Sequence, residues 1–94
     1  MPVALPEIPA VRLTRPVRAV LHALHRSHGS RLPVAHIARD ANLSPSTVRT
    51  ALAELEKGHL IRHALAPGHD TQPPRTVYWL TGDGNALATG HPPH

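Results

Sequence analysis

Between Ser44 and Lys57 the chain places hydroxyls and cations at helical spacing. Ser46, Arg49, Thr50, Ala53 and Lys57 share one side of such a helix at about 100° per residue. That side is small, polar and basic. An arginine there can pair bidentately with a guanine edge, and the hydroxyls of Ser46 and Thr50 can reach bases or phosphates. Thr47, on the flank near the helix start, suits a phosphate oxygen, assisted by the free amides of that first turn. Glu54 and Glu56 must point away from any phosphate or they would weaken binding. A second constellation is His22, His25 and His28, at i, i+3 and i+6. Imidazoles one turn apart can ligate Zn²⁺ or Ni²⁺. These three span about 120° of a helix, a loose set for one ion, and plain surface histidines explain them better.

The elements that must hold these groups follow from caps and apolar spacing. Thr14 reads as an N-cap, with Pro16 in the first turn. Val17, Val20, Leu21 and Leu24 form one apolar stripe, predicting a first helix from Thr14 to Ser27 that Gly29 and Ser30 end. Leu32 suits a very short strand. Pro33 opens a short second helix with Val34, Ile37, Ala38 and Ala41 inward, and Asn42 fits the turn that closes it. Leu43 plugs that turn. Ser44 caps a third helix with Pro45 at its first position. Val48, Ala51, Leu52 and Leu55 are its inner stripe, and Gly58 reads as a left-handed stop. The period then changes. Leu60 to Ala66 and Thr76 to Thr81 read as two strands, joined by a link from Pro67 to Arg75 that is stiffened by prolines. Tyr78 shares a face with Leu80 and is expected in the core, leaving Trp79 to cover the other face or a dimer contact. Residues 82–89 suit a short last helix with Ala86 and Leu87 packing back.

The predicted fold is therefore mainly α with a small β-hairpin, a winged helix-turn-helix. Its order is helix, short strand, helix, helix, strand, wing, strand, short helix. Residues 1–12 form a flexible Pro-rich arm, 13–89 the domain and 90–94 a tail.

Composition narrows the chemistry. The chain has 94 residues, 40% hydrophobic and 2% aromatic, so its core must be aliphatic. Every basic side chain except Lys57 is arginine, and the formal charge is +4 at a sequence pI near 11.2. Such a balance on a small body favours a polyanion, with double-stranded DNA before an anionic membrane. The absence of cysteine excludes disulfides, thiol chemistry and cysteine-type zinc fingers. No apolar run suits a membrane span, and no secretory leader is evident, so a cytoplasmic protein is expected. Richness in Ala, Arg, Pro and His with a single Lys resembles GC-rich bacterial coding.

Leu43-Ser-Pro-Ser-Thr-Val-Arg-Thr-Ala-Leu-Ala-Glu-Leu-Glu-Lys-Gly-His-Leu-Ile61, followed by Arg75-Thr-Val-Tyr-Trp-Leu-Thr-Gly-Asp-Gly84, resembles the winged-helix bacterial regulators of the PadR and MarR type. In those families a Leu-Glu-x-x-Gly-x-Leu/Ile pattern feeds the first wing strand. An Arg-x-x-Tyr-x-Leu-Thr-x-x-Gly pattern ends the second, with the Thr capping a helix. The resemblance implies a dimeric repressor or activator. PadR-type proteins carry long C-terminal dimerisation helices, so with the chain ending at His94 the expectation is a homodimer through other surfaces or an assembly templated by DNA.

Ser44, Ser46, Thr47, Arg49, Thr50 and Lys57 are thus the expected DNA contacts of the reading helix. His69, Gln72 and Arg75 are those of the wing, and Arg15, within a cluster with Arg12 and Arg18, is a third group. Arg75 could alternatively pair with Asp70. The expected function is a sequence-specific DNA-binding protein, a small transcriptional regulator. Alternatives are a plasmid, phage or conjugation protein on DNA repeats, a metal-responsive repressor using His22, His25 and His28, or a protein-interaction module. No cofactor is implied. Nothing suggests an enzyme: there is no nucleophile–base set in context, no carboxylate pair in an apolar setting and no phosphate-cradling glycine loop.

Overall fold

A computed structural model describes residues 11–89. Most of the expected arm (residues 1–10) and the tail (90–94) lie outside the described residues. Element α1, Arg15–Arg26, begins where Thr14 Oγ1 accepts the Val17 amide at 3.4 Å. Its stripe of Val17, Val20, Leu21 and Leu24 is buried, together with Ala23. The helix stops before His28. His28 (φ 54°) and Gly29 (φ 86°) are both left-handed and turn the chain away, so His28 does not continue the His22–His25 row.

A two-residue strand β1, Leu32–Pro33, leads into α2, Val34–Ala41. Asn42 takes a left-handed conformation (φ 57°, ψ 48°), and the Leu43 amide donates to the Ala38 carbonyl at 3.0 Å. This closes the exposed carbonyls of α2 and tucks Leu43 against the core. Element α3, Pro45–Lys57, then starts from Ser44, whose hydroxyl accepts the Thr47 amide at 3.2 Å. Val48 and Leu55 are fully buried, and Ala51 and Leu52 nearly so.

The end of α3 differs from the sequence expectation. Gly58 has φ −89°, and the left-handed residue is His59 at φ 58°. Gly58 is needed for room instead: a Cβ there would run into the Val11 side chain. Val11 therefore packs on the domain, and Arg12 bonds to α3, although both were assigned to the arm.

Strands β2, Ile61–Ala66, and β3, Arg75–Leu80, form an antiparallel hairpin running in register from Ile61↔Leu80 to Ala66↔Arg75. β1 pairs with the other edge of β3 through Leu32↔Tyr78 and Pro33↔Val77, so the sheet order is β1-β3-β2. Ile61, Leu80 and Leu32 join the core, with Tyr78 packed at its edge. Trp79 lies on the opposite face, with the Arg31 guanidinium 4.4 Å from its ring centroid.

Thr81 ties the sheet to the last helix, α4, Gly82–Thr89. Its amide donates to the Leu60 carbonyl at 3.0 Å and its hydroxyl to the His59 carbonyl at 2.9 Å. The same hydroxyl accepts the Gly84 amide at 3.1 Å, capping α4. Leu87 and Ala88 pack back on the core, whereas Leu87 and Ala86 were expected.

Gly84 is buried with the Leu60 carbonyl where its Cβ would be. Exchanging a helical glycine for alanine ordinarily stabilises by about 1 kcal/mol. Gly84→Ala should do the reverse, costing about 1–3 kcal/mol by overpacking against backbone, as read by urea denaturation.

Candidate nucleic-acid interface

The inner stripe of α3 fixes what its outer side presents. Ser46, Arg49, Thr50, Ala53 and Lys57 are all exposed. Ser44 and Thr47 are partly committed to the helix start, since their hydroxyl oxygens lie 2.8 Å apart and Ser44 caps the Thr47 amide. Thr50 donates its hydroxyl proton to the Ser46 carbonyl at 3.2 Å, which leaves its lone pairs free to accept. Lys57 lies 3.7 Å from Glu54. Arg49 has no carboxylate within ion-pair distance among the described residues.

The two flanks of α3 differ. Toward α1, Thr47, Thr50 and Glu54 line a hollow with Arg12, Thr14 and Pro16. Arg15, exposed between Thr14 and Pro16, borders it. The Arg12 amide donates to Glu54 Oε1 at 3.0 Å. That backbone bond holds the Glu54 carboxyl below its ordinary value of 4.5 against the opposing effect of desolvation, with Lys57 adding to the lowering. Glu54 is thereby turned from the outer face and serves to dock the chain before α1.

Toward the hairpin, Arg49 and Arg75 line one cleft with Pro33, Val34, Ala35, Thr76 and Tyr78. Arg75 is exposed and makes no ion pair with Asp70 among the described residues. The tertiary structure thus joins α3, the root of the hairpin and the start of α2 on one side. Below this cleft, Glu56 accepts from His63 Nδ1 at 2.6 Å, in a hollow that Arg49 and Tyr78 also line. Burial raises the Tyr78 hydroxyl above its ordinary value of 10.0; Glu56 adds to the shift and Arg49 opposes it.

His69 and Gln72 sit exposed at the wing tip, where they pair as an isolated bridge. The tip is therefore a tight turn well away from α3 in sequence and joined to it only through the strands. Tyr78, Ala35 and His63 were not marked as interface residues from sequence. Alternation assigned Tyr78 to the core, and no local signal reports which helix a strand residue faces.

The histidines of α1 separate. His25 Nδ1 lies 3.5 Å from Asn85 Oδ1 on α4, and His28 is beyond the helix. Among the described residues no three His, Asp or Glu side chains come together to hold a metal ion. No described helix is long and apolar enough to cross a membrane.

A short helix, a left-handed turn, a buried-sided second helix and a hairpin closed by an N-terminal strand define a winged helix-turn-helix. Solved structures with a similar fold include a MarR family member. The zinc-responsive MarR family member ZitR from Lactococcus lactis superposes with a TM-score of 0.65 at 26% identity, covering 94% of this chain and 58% of that one. ZitR in complex with DNA gives 0.63 at 24% identity, covering 94% and 57%. A candidate DNA-binding protein from Ralstonia eutropha gives 0.65 at 24% identity, covering 84% of this chain and 96% of that one. The chain spans between 55% and 58% of the ZitR chains it matches. No protein-family model matches the chain, and no curated protein matches its sequence.

A carboxylate lowered by folding stabilises above its ordinary value, and that contribution is lost as pH falls through the lowered one. Glu54 is such a group, and its partner is the Arg12 amide. In an NMR pH titration the Arg12 amide resonance should move with the Glu54 carboxyl, with a midpoint below 4.5. Glu54→Gln should remove the transition.

Proposed function

We propose that this chain is a sequence-specific double-stranded DNA-binding protein, a small bacterial transcriptional regulator. In this reading α3 enters the major groove, and residues 67–75 of the wing meet the adjacent backbone or minor groove. The observation that carries the reading is Arg49, an unpaired, exposed cation at the middle of a helix whose opposite side is locked in the core. Arg75 on the same side supports it, as does the likeness to a regulator solved on DNA.

Each residue has a role. Arg49 reads a base edge, best a guanine. Ser46 and Thr50 accept or donate to bases and phosphates beside it. Thr47, Ser44 and the free amides of the first turn hold a phosphate. Arg75 meets the backbone or a narrow minor groove, and His69 and Gln72 extend that contact along the wing. Arg15 takes a flanking phosphate. Lys57, held by Glu54, adds positive field at the far end of the helix. The protein acts in the cytoplasm, as a homodimer or as copies assembled on DNA. It has no catalytic role.

Selection from a random duplex pool, sequenced at two salt concentrations, tests this directly. An inverted repeat with half-sites about 34 Å apart is expected for a dimer. Arg49→Glu should reduce affinity for the selected duplex by at least about 100-fold, combining a lost base pair with a repelled phosphate. Wild-type affinity should fall steeply with salt. Sequence-blind binding, or an unchanged affinity in Arg49→Glu, would overturn the assignment.

A further inference from the structure

His63 stands on β2, away from the outer face of α3, yet it meets that helix through Glu56. The imidazole Nδ1 lies 2.6 Å from Glu56 Oε1, and both side chains are about half exposed, at 52% and 44%. Glu56 is two helical turns beyond Arg49, so the two leave α3 on the same flank. They line one hollow with His63, Thr76 and Tyr78, in which Glu56 is the sole acid.

The charged and titratable groups facing His63 are Glu56 and Arg49 from α3 and Tyr78 from β3, its ring centroid 6.0 Å away. Arg62, next along β2, points to the opposite sheet face by alternation. The Tyr78 hydroxyl responds to both Glu56 and Arg49, which marks the three as one electrostatic neighbourhood.

We propose that the Glu56–His63 pair sets the charge that Arg49 presents to DNA, with His63 acting as a positioning residue and a proton-sensitive gate. This rests on the DNA-binding reading above. When the imidazole is neutral, the hollow holds Arg49 and an uncompensated Glu56 carboxylate. That carboxylate attracts the guanidinium and holds it back from DNA. When the imidazole takes a proton, it becomes the counter-ion of Glu56. The hollow then carries one net positive charge, and Arg49 is free to meet DNA. Binding therefore tightens when the imidazole is protonated. Seven residues at about 1.5 Å each put Glu56 roughly 10 Å from Arg49 along the helix, and a unit charge at that distance, at an effective dielectric between 20 and 80, is worth roughly a two- to sixteenfold change.

The other histidines also titrate, so the test is the coupling to Arg49 and not the total pH slope. A short labelled duplex of mixed sequence at fixed low salt, followed by fluorescence anisotropy near pH 5.5 and pH 8, reads it. Glu56→Gln should tighten binding near pH 8 roughly two- to sixteenfold. His63→Gln should weaken binding near pH 5.5 by a similar factor. His63→Lys, a permanent cation beside Glu56, should bind tightly at both. In an Arg49→Ala background all three effects should shrink to near zero. If they persist undiminished there, or if Glu56→Gln changes nothing in the wild type, the gate is overturned while DNA binding stands. If the wild type does not bind the duplex at all, the DNA-binding reading itself falls; if Arg49→Ala binds as the wild type does, the gate falls with the role given to Arg49. Thermal unfolding of each variant confirms that the fold is retained.

Discussion

The burial of one side of α3 decides what its other side can do. Val48 and Leu55 are fully buried and Ala51 and Leu52 almost so, seated against the stripe of α1 and the inner residues of α2. Fully burying a Val or Leu side chain contributes about 1.5–3 kcal/mol each. The Glu54–Lys57 pair lies at the solvent-facing side of the helix, where ion pairs add little. Helix orientation is therefore set by aliphatic packing, and the surface charges ride on it. A core without phenylalanine does this by packing aliphatic side chains.

Two left-handed residues turn that packed helix into a motif. Asn42 ends α2 so that Leu43 can fold under, and His59 ends α3 so that Leu60 can enter the core. Beyond His59, Thr81 gathers three hydrogen bonds from the Leu60 carbonyl, the His59 carbonyl and the Gly84 amide. That node fixes where β3 emerges, and β3, as the central strand, carries both β1 and the wing strand β2. The position of Arg75 relative to Arg49 thus follows from packing around residues 59–84 and not from any contact between the two arginines.

The acids beside α3 are each engaged locally. Glu54 holds the Arg12 amide and Lys57 on one flank, and Glu56 holds His63 on the other. Each acid is thus held at an edge of α3 by a partner outside the helix or on its next turn. The outer face proper, with Ser46, Arg49, Thr50 and Ala53, carries none.

Elements whose signals are local were legible from the residues alone. The caps Thr14 and Ser44, the prolines after them, Asn42, and the apolar stripes determined three helices and their inner faces. Those signals act within four residues, where backbone geometry is set. The two strands and the candidate face of α3 followed from the same spacing. Other features needed the tertiary structure. Gly58 looked like a left-handed stop, but its smallness answers to Val11 crossing it from the chain's start, and His59 takes the strained conformation. The row His22, His25, His28 dissolved because the chain turns at His28. Arg49 with Arg75, and Glu56 with His63, are pairs that only the docking of a hairpin on a helix brings together. Spacing along a chain states which side of its own element a residue occupies. Which other element that side meets depends on sheet register and core packing, and these are decided by the whole fold at once.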